Sequence, residues 1–454
     1  MLSIGNFGNS FGRRDFLRVG GLGLGGLTLA DLLRTKSSAA SGGELTTGKS
    51  VIFLFMHGGP SQVETFDPKM DRPSEIRSAT GEVSTTLPGI TYGGTFPKLA
   101  KLAHRTSIVR SFRTGTGAHD IKPIVGKDTF GANLGTVYSR IVGTNRTDTG
   151  MPTNVALFPK AVDESTMPRV TQFGKFDSTG VFGSLYSPFI PGAGGDAQKN
   201  LKLNLPLDRL DDRRSLLKGL DGVKTQLDTA SEFGGLDSVR EQAFSTIIGG
   251  VADAFDLTKE DAKTIKRYDT APLVKPEDIS RHWNNYKRYV DNGKALGKLL
   301  LLARRLCEAG AGFVTVTTNF VWDMHADVNN ATVEEGMRYM GTPFDHAVSA
   351  FLEDVEARGL ADDILLVCCG EMGRTPKINK NAGRDHWTFC YSVMFAGAGI
   401  RGGTVYGASD DQAAYVKDAP VSPADICATI YECLGIDPDL QIPDASGQPV
   451  RIHM

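Results

Sequence analysis

ILLVCCGEMGRTPKINKNAGRDHW, Ile364 to Trp387, divides into an apolar half and a charged half. Ile364-Leu365-Leu366-Val367 runs without a polar break into Cys368-Cys369 and Gly370, the pattern of a strand buried on both faces. Glu371, Arg374, Lys377, Lys380, Arg384, Asp385 and His386 then crowd a glycine-containing connection. In open α/β sheets, ligands bind at the carboxyl ends of the strands, where loops are held by a rigid sheet yet open to solvent. A second strand pattern, Phe313 to Thr317, runs into a loop carrying Asp323, His325 and Asp327. With Glu371, Asp385 and His386 these make a mixed nitrogen and oxygen set, suited to zinc, manganese or iron more than to calcium. The competing reading of either loop is a surface network of ion pairs and turns.

Upstream, Val51 to Met56 forms the first strong strand signal and delivers His57-Gly58-Gly59-Pro60-Ser61 from its end. His57 is a candidate ligand or substrate-orienting group, with a hydrogen-bonded structural histidine as the alternative. Ser61 lacks the G-x-S-x-G elbow and no helix signal follows it. Tyr92 to Ala103 is expected to form a helix starting at Pro97 and burying Phe96, Leu99, Ala100 and Ala103. Thr106 to Val109 makes a strand, followed by Arg110-Ser111-Phe112-Arg113-Thr114-Gly115-Thr116-Gly117-Ala118-His119-Asp120. Hydroxyls, cations and glycines of this kind can hold a tetrahedral anion such as phosphate or sulfate, and the loop lacks the P-loop spacing.

The rest of the chain alternates helix and strand. Met151 to Phe158 enters a short strand, Leu299 to Ala309 and Pro343 to Arg358 read as helices before the Phe313 and Ile364 strands, and Tyr391 to Ala396 as a further strand. Such returns imply a mainly parallel sheet covered by helices. Residues 191–299 read as a helical insertion or cap, and within it the aromatic and basic segment Arg281 to Tyr289 reads as a solvated helix with its aromatics against the core, with the lining of a substrate cleft as the alternative. Ser422, Pro423 and Asp425 supply N-cap, N1 and N3 of a last helix that Gly435 ends.

At 454 residues, with Lys+Arg 50 against Asp+Glu 52, the chain has a globular composition and no charge imbalance drawing it to nucleic acid. All six cysteines lie in the last third, so no disulfide framework builds the fold. The leader, residues 1–40, orders basic, apolar and small residues as an export signal does, and Arg13-Arg14 before Phe16-Leu17 resembles the twin-arginine type, which implies passage through that export machinery in folded form. Residues 41–454 form one domain in this reading, exported to the periplasm or cell exterior, membrane-tethered if the signal is uncleaved.

Taken together, the twin-arginine start, VIFLFMHGGPSQVETFDP (Val51 to Pro68), Arg110 to His119, Leu302 to His325 and Gly370 to Trp387 resemble the bacterial domain-of-unknown-function 1501 family, within the alkaline phosphatase and sulfatase superfamily. The resemblance implies an alkaline-phosphatase-like three-layer α/β sandwich, with Asp323, His325, Glu371 and His386 at the metal-bearing end. Where active superfamily enzymes commonly offer a first-strand aspartate this chain has His57, and the sulfatase maturation pattern Cys-x-Pro-x-Arg is absent, which disfavours a formylglycine mechanism. The expectation is metal-assisted hydrolysis of a phosphate or sulfate ester, on a sulfated or phosphorylated glycan for example, using one or two divalent ions, zinc or manganese. Its metal set is His57, Asp323, His325, Glu371, Asp385 and His386, with Thr114, Thr116, His119 and Arg374 acting on the substrate. Arg110 and Arg113 join Arg374 in charge stabilisation, and Asp385 orients His386 or binds metal. The alternatives are an exported binding or assembly protein that keeps the fold, and carbohydrate hydrolysis by paired acids.

Overall fold

The computed structural model describes residues 46–192, apart from Thr116 and Ala118, and 251–452, apart from Pro438. The expected export leader, residues 1–40, and residues 193–250 of the expected insertion lie outside the described residues.

Seven strands form the central sheet: β1 (Ser50–Phe55), β2 (Thr106–Phe112), β3 (Asn154–Leu157), β4 (Phe313–Thr317), β5 (Ile364–Cys369), β6 (Tyr391–Ala396) and β7 (Thr404–Tyr406), in the order β7-β2-β6-β5-β1-β4-β3. β1 lies parallel to β4 and β5, β3 to β4 and β7 to β2, whereas β6 runs antiparallel between β2 and β5. The sheet is therefore mainly parallel. In register, Phe55 stands beside Thr317 and Cys369, so three central strands end level and their loops leave together.

Alternation along these strands separates two cores. Ile52, Leu54, Val314, Val316, Leu366 and Cys368 face one apolar cluster, while Val51, Phe53, Phe313, Leu365, Val367 and Cys369 face the other. The first is covered by α1 (Pro97–Lys101), α4 (Tyr286–Glu308) and α5 (Val333–Ala357), the second by α2 (Leu134–Val142) and α6 (Pro423–Leu434). Between α2 and α4, α3 (Ala262–Tyr268) belongs to the described part of the helical stretch and packs on α4 and α5. The result is a three-layer α/β sandwich, buried on both sheet faces as the continuous apolar runs require.

Several boundaries differ from expectation. α4 begins at Tyr286, and Leu299 to Ala309 is only its second half. The first half hid its helix because Asp291, Asn292, Gly293 and Gly297 are buried there, and a Cβ on Gly297 would meet the Tyr268 carbonyl oxygen at 1.7 Å. Helix α5 starts at Val333, capped by Thr332, and carries Pro343 in its interior. Thr91–Gly93 is a strand and only Pro97–Lys101 is α-helical, though Phe96, Leu99, Ala100 and Ala103 are all buried. Helix α6 has the expected capping box, and Gly435 closes it at φ 74°. All six cysteines are free thiols.

Among the described residues, no helix is long and apolar enough to cross a membrane.

Candidate metal centre

The loops after β1, β2, β4 and β5 converge at one end of the sheet. His119, Asp323, His325 and His386 each offer a ligand atom there, and these atoms all lie within 4.8 Å of one another. Asp323 is the hub. Its Oδ1 lies 2.8 Å from His325 Nε2, 3.4 Å from His386 Nε2 and 3.7 Å from His119 Nε2. Its Oδ2 accepts a hydrogen bond from Asn330 Nδ2 at 3.3 Å.

The outward nitrogen of each ring decides what the inward one can do. His119 Nδ1 lies 2.9 Å from Glu371 Oε1, His325 Nδ1 3.3 Å from Asp385 Oδ1, and His386 Nδ1 3.0 Å from the Gly117 carbonyl oxygen. Each of these rings has an oxygen at both nitrogens, so a cation beside Asp323 would take the Nε2 lone pairs and leave the protons on Nδ1, and without it Nε2–H can donate to Asp323. His325 Nε2 and His386 Nε2 face each other across 3.0 Å. Two lone pairs at that separation need a cation between them or a proton on one.

Burial would push the Asp323 carboxyl up, but the Arg374 guanidinium and hydrogen bonds from His325 and His386 outweigh it and hold the carboxyl well below the usual carboxylate range. Arg374 is itself buried. Its Nη2 donates to Asp323 Oδ1 at 2.5 Å and to the Gly58 carbonyl, and its Nε donates to the Gly59 carbonyl at 2.9 Å. Gly58, at φ 111°, ties the two arms together: its N–H donates to both Glu371 carboxylate oxygens at 2.9 and 3.2 Å. A Cβ on Gly58 would stand 2.6 Å from the Asp323 backbone nitrogen, so glycine is required for both the φ and the contact.

The four sequence-derived residues Asp323, His325, His386 and His119 thus meet. Glu371 stands behind His119 as its acceptor, and Asp385, exposed and steadied by Asn379, stands behind His325 rather than His386. His57 lies outside the group, its Nε2 buried without a hydrogen bond and its ring edge-on to Phe55, Phe176 and Phe320. Burial lowers its pKa to about 4, so the imidazole is neutral at pH 7. Thr114 Oγ1 donates to the Glu371 backbone oxygen at 3.3 Å. Thr116 lies outside the described residues. Arg110 is turned to Asp67, 3.6 Å away, and Arg113 is exposed. Asp327 caps the turn at Asn329 and Asn330. Ser61 caps a helical turn, Gln62–Thr65.

Sequence reasoning passed over that turn. Gln62 clamps the Arg374 backbone, accepting from its N–H at 3.0 Å and donating to its carbonyl at 2.8 Å. Glu64 pairs with the wholly buried Arg384 at 2.8 Å, two residues before His386. The signal was their position just beyond HGGPS, but only the fold brings them to the second loop.

The DUF1501 family, described as proteins of unknown function, has a profile that matches residues 48–454. The chain belongs to this family. No match was found among the curated proteins. Solved structures similar to this DUF1501 chain include the sulfatase PsFucS1 from Pseudoalteromonas sp., 12% identical over 89% of this chain and 70% of that one, TM-score 0.37. An alkaline phosphatase from the Antarctic bacterium TAB5 is 11% identical over 86% and 99%, TM-score 0.35. The phosphonate monoester hydrolase SpPMH from Silicibacter pomeroyi is 11% identical over 87% and 74%, TM-score 0.35. At such TM-scores the chemistry has to be read from the DUF1501 chain's own residues.

Proposed function

We propose that this DUF1501 protein is an exported, metal-dependent hydrolase of phosphate or sulfate esters. The observation that carries the reading is the orientation of three imidazoles whose Nδ1 atoms are engaged by oxygen acceptors and whose Nε2 atoms face one ionised carboxylate. A tetrahedral ion with bonds of about 2.1 Å has its donors about 3.4 Å apart, so to hold zinc the pairs at 2.8 and 3.0 Å would open and the wider pairs, within 4.8 Å, would close. Manganese suits the same nitrogen and oxygen donors.

A divalent cation held there would supply Lewis acidity toward an ester oxygen and lower the pKa of bound water. The chain's own part is to prepare the site. Glu371, Asp385 and the Gly117 carbonyl fix the ring orientations. Arg374 keeps Asp323 ionised and adds positive charge beside the place where a transferred anionic group gains charge. In this reading water is the nucleophile, and the Thr114 hydroxyl is held by a backbone carbonyl. The anionic partner is a sulfated or phosphorylated molecule such as a glycan, and the Arg13-Arg14 leader supports export.

The same engagement of Thr114 favours a second reading, a metal-holding binding or assembly protein without turnover. Metal analysis of natively purified protein, paired with a panel of phosphate and sulfate esters before and after chelation, separates the two. Chelation-sensitive multiple turnover is the expected result. Bound metal without turnover selects the second reading, and undiminished turnover in metal-free protein sinks the mechanism.

A further inference from the structure

A cavity of about 300 Å³ opens between α1, α3 and α5 in the helical layer. Lys98, Lys101, Arg267, His346, Ser349 and Glu353 contribute to its wall, three cations against one carboxylate. Among the described residues none of these cations has a carboxylate within ion-pair distance, in contrast to the paired arginines elsewhere in this layer. Lys98 Nζ instead donates to His346 Nδ1. Burial, and then the charge of Lys98, lower the His346 pKa, so the ring adds no charge of its own at pH 7.

The second observation is Ser349. It is 3% exposed and lines the cavity, yet its Oγ is buried with no hydrogen-bond partner. A helical serine ordinarily returns its hydroxyl to the carbonyl four residues earlier. A buried hydroxyl left unmatched costs free energy unless something in the cavity receives it. The neighbouring carboxylate of Asp345 does not serve, because its oxygens accept from the Lys98 and Leu99 backbone N–H groups at 2.7 to 3.1 Å.

We propose that this cavity binds a compact, doubly charged oxyanion of the phosphate type, held by Lys101, Arg267 and Lys98 and accepting a hydrogen bond from Ser349. The site is separate from the metal centre and does not depend on the hydrolase reading. Unpaired cations around a concavity attract such an anion, and charge-assisted bonds from lysine and arginine are the stronger kind. The oxyanion is either free in solution or the headgroup of an anionic lipid.

The test is calorimetric titration of the full-length protein with inorganic phosphate at low salt, with co-sedimentation on phosphatidylglycerol vesicles as the second arm. The expected result is phosphate binding that survives His386→Ala, weakens at least about tenfold in the double variant Lys101→Met/Arg267→Met, and weakens about threefold in Ser349→Ala. An unchanged thermal midpoint confirms that the surface double variant folds. Vesicle binding lost in the double variant assigns the oxyanion to a lipid headgroup, and phosphate binding without vesicle binding assigns it to a free anion. Binding that is equal in parent and double variant, or that neither probe shows once His386 is replaced, overturns the proposal.

Discussion

Two buried arginines, Arg374 and Arg304, have equally hidden side chains and opposite surroundings. Around Arg304, Glu260 and Asp354 approach to 2.7 and 3.0 Å and Glu308 completes the set, while Arg305 and Arg358 share the same carboxylates. Three cations meet three anions, and the knot is electrically closed. Around Arg374, Asp323 faces the guanidinium and the Nε2 side of three imidazoles, while Glu371 and Asp385 meet the Nδ1 side of two of them. That end of the molecule gathers three imidazoles and a carboxylate able to hold a divalent cation. Closure marks a structural network, and a gathering of this kind marks a site.

The sharpest test of the open end is Asp323→Asn, which removes the only anion at the hub. Under the hydrolase reading kcat/KM should fall by about a thousandfold and bound metal should drop with it; parallel kinetics and metal analysis would show whether the two move together. The closed knot should answer differently. Arg304→Met leaves Glu260, Asp354 and Glu308 to Arg305 and Arg358 alone and should cost about 1.5–3 kcal/mol of stability in denaturant unfolding, with metal content per folded molecule unchanged. If Arg304→Met instead stripped the metal without destabilising the fold, the division between the two networks would be lost.

A smaller effect is expected one layer behind the ligands. Glu371→Gln leaves an amide where His119 had a carboxylate, and metal affinity should fall about 10–100-fold, recoverable at higher metal concentration. The smallest effect concerns pH. Burial raises the Asp345 carboxyl from 3.8 to about 6, outweighing the Leu99 and Lys98 backbone N–H groups. The folded state therefore binds this proton more tightly than the unfolded chain does, so the contribution to stability is present below about pH 4 and lost as pH rises through 6. Asp345→Asn keeps an oxygen for the Lys98 and Leu99 N–H groups and should remove a loss on the order of 2 kcal/mol between those pH values. Glu260 runs the other way: burial raises its pKa, but Arg304 and Arg305 lower it to about 2, so its contribution holds above 4.5 and is lost as acid approaches 2.

Much of this was legible beforehand where the pattern was local. Ile364 to Cys369 and Phe313 to Thr317 announced buried parallel strands because every residue of both is buried, and the loops behind them carried Asp323, His325 and His386. Long-range pairing was not legible. His119 follows a run of glycines and threonines with no periodicity, and its partner Glu371 lies 252 residues away. The start of α4 was hidden by buried Asp291 and Asn292, polar residues whose burial only tertiary contacts explain: Asp291 accepts from the Met167 N–H and Asn292 donates to the Tyr339 carbonyl.

The threading of Gly58 between the Asp323 and Glu371 loops has a consequence for the order in which the protein is made. Its peptide is the rivet through which β1, β4 and β5 are joined at the site, so the four ligands reach their places only after three remote stretches of chain have docked. A cation held by those four side chains would bind the folded chain and not the unfolded one, adding its binding free energy to the stability of the fold.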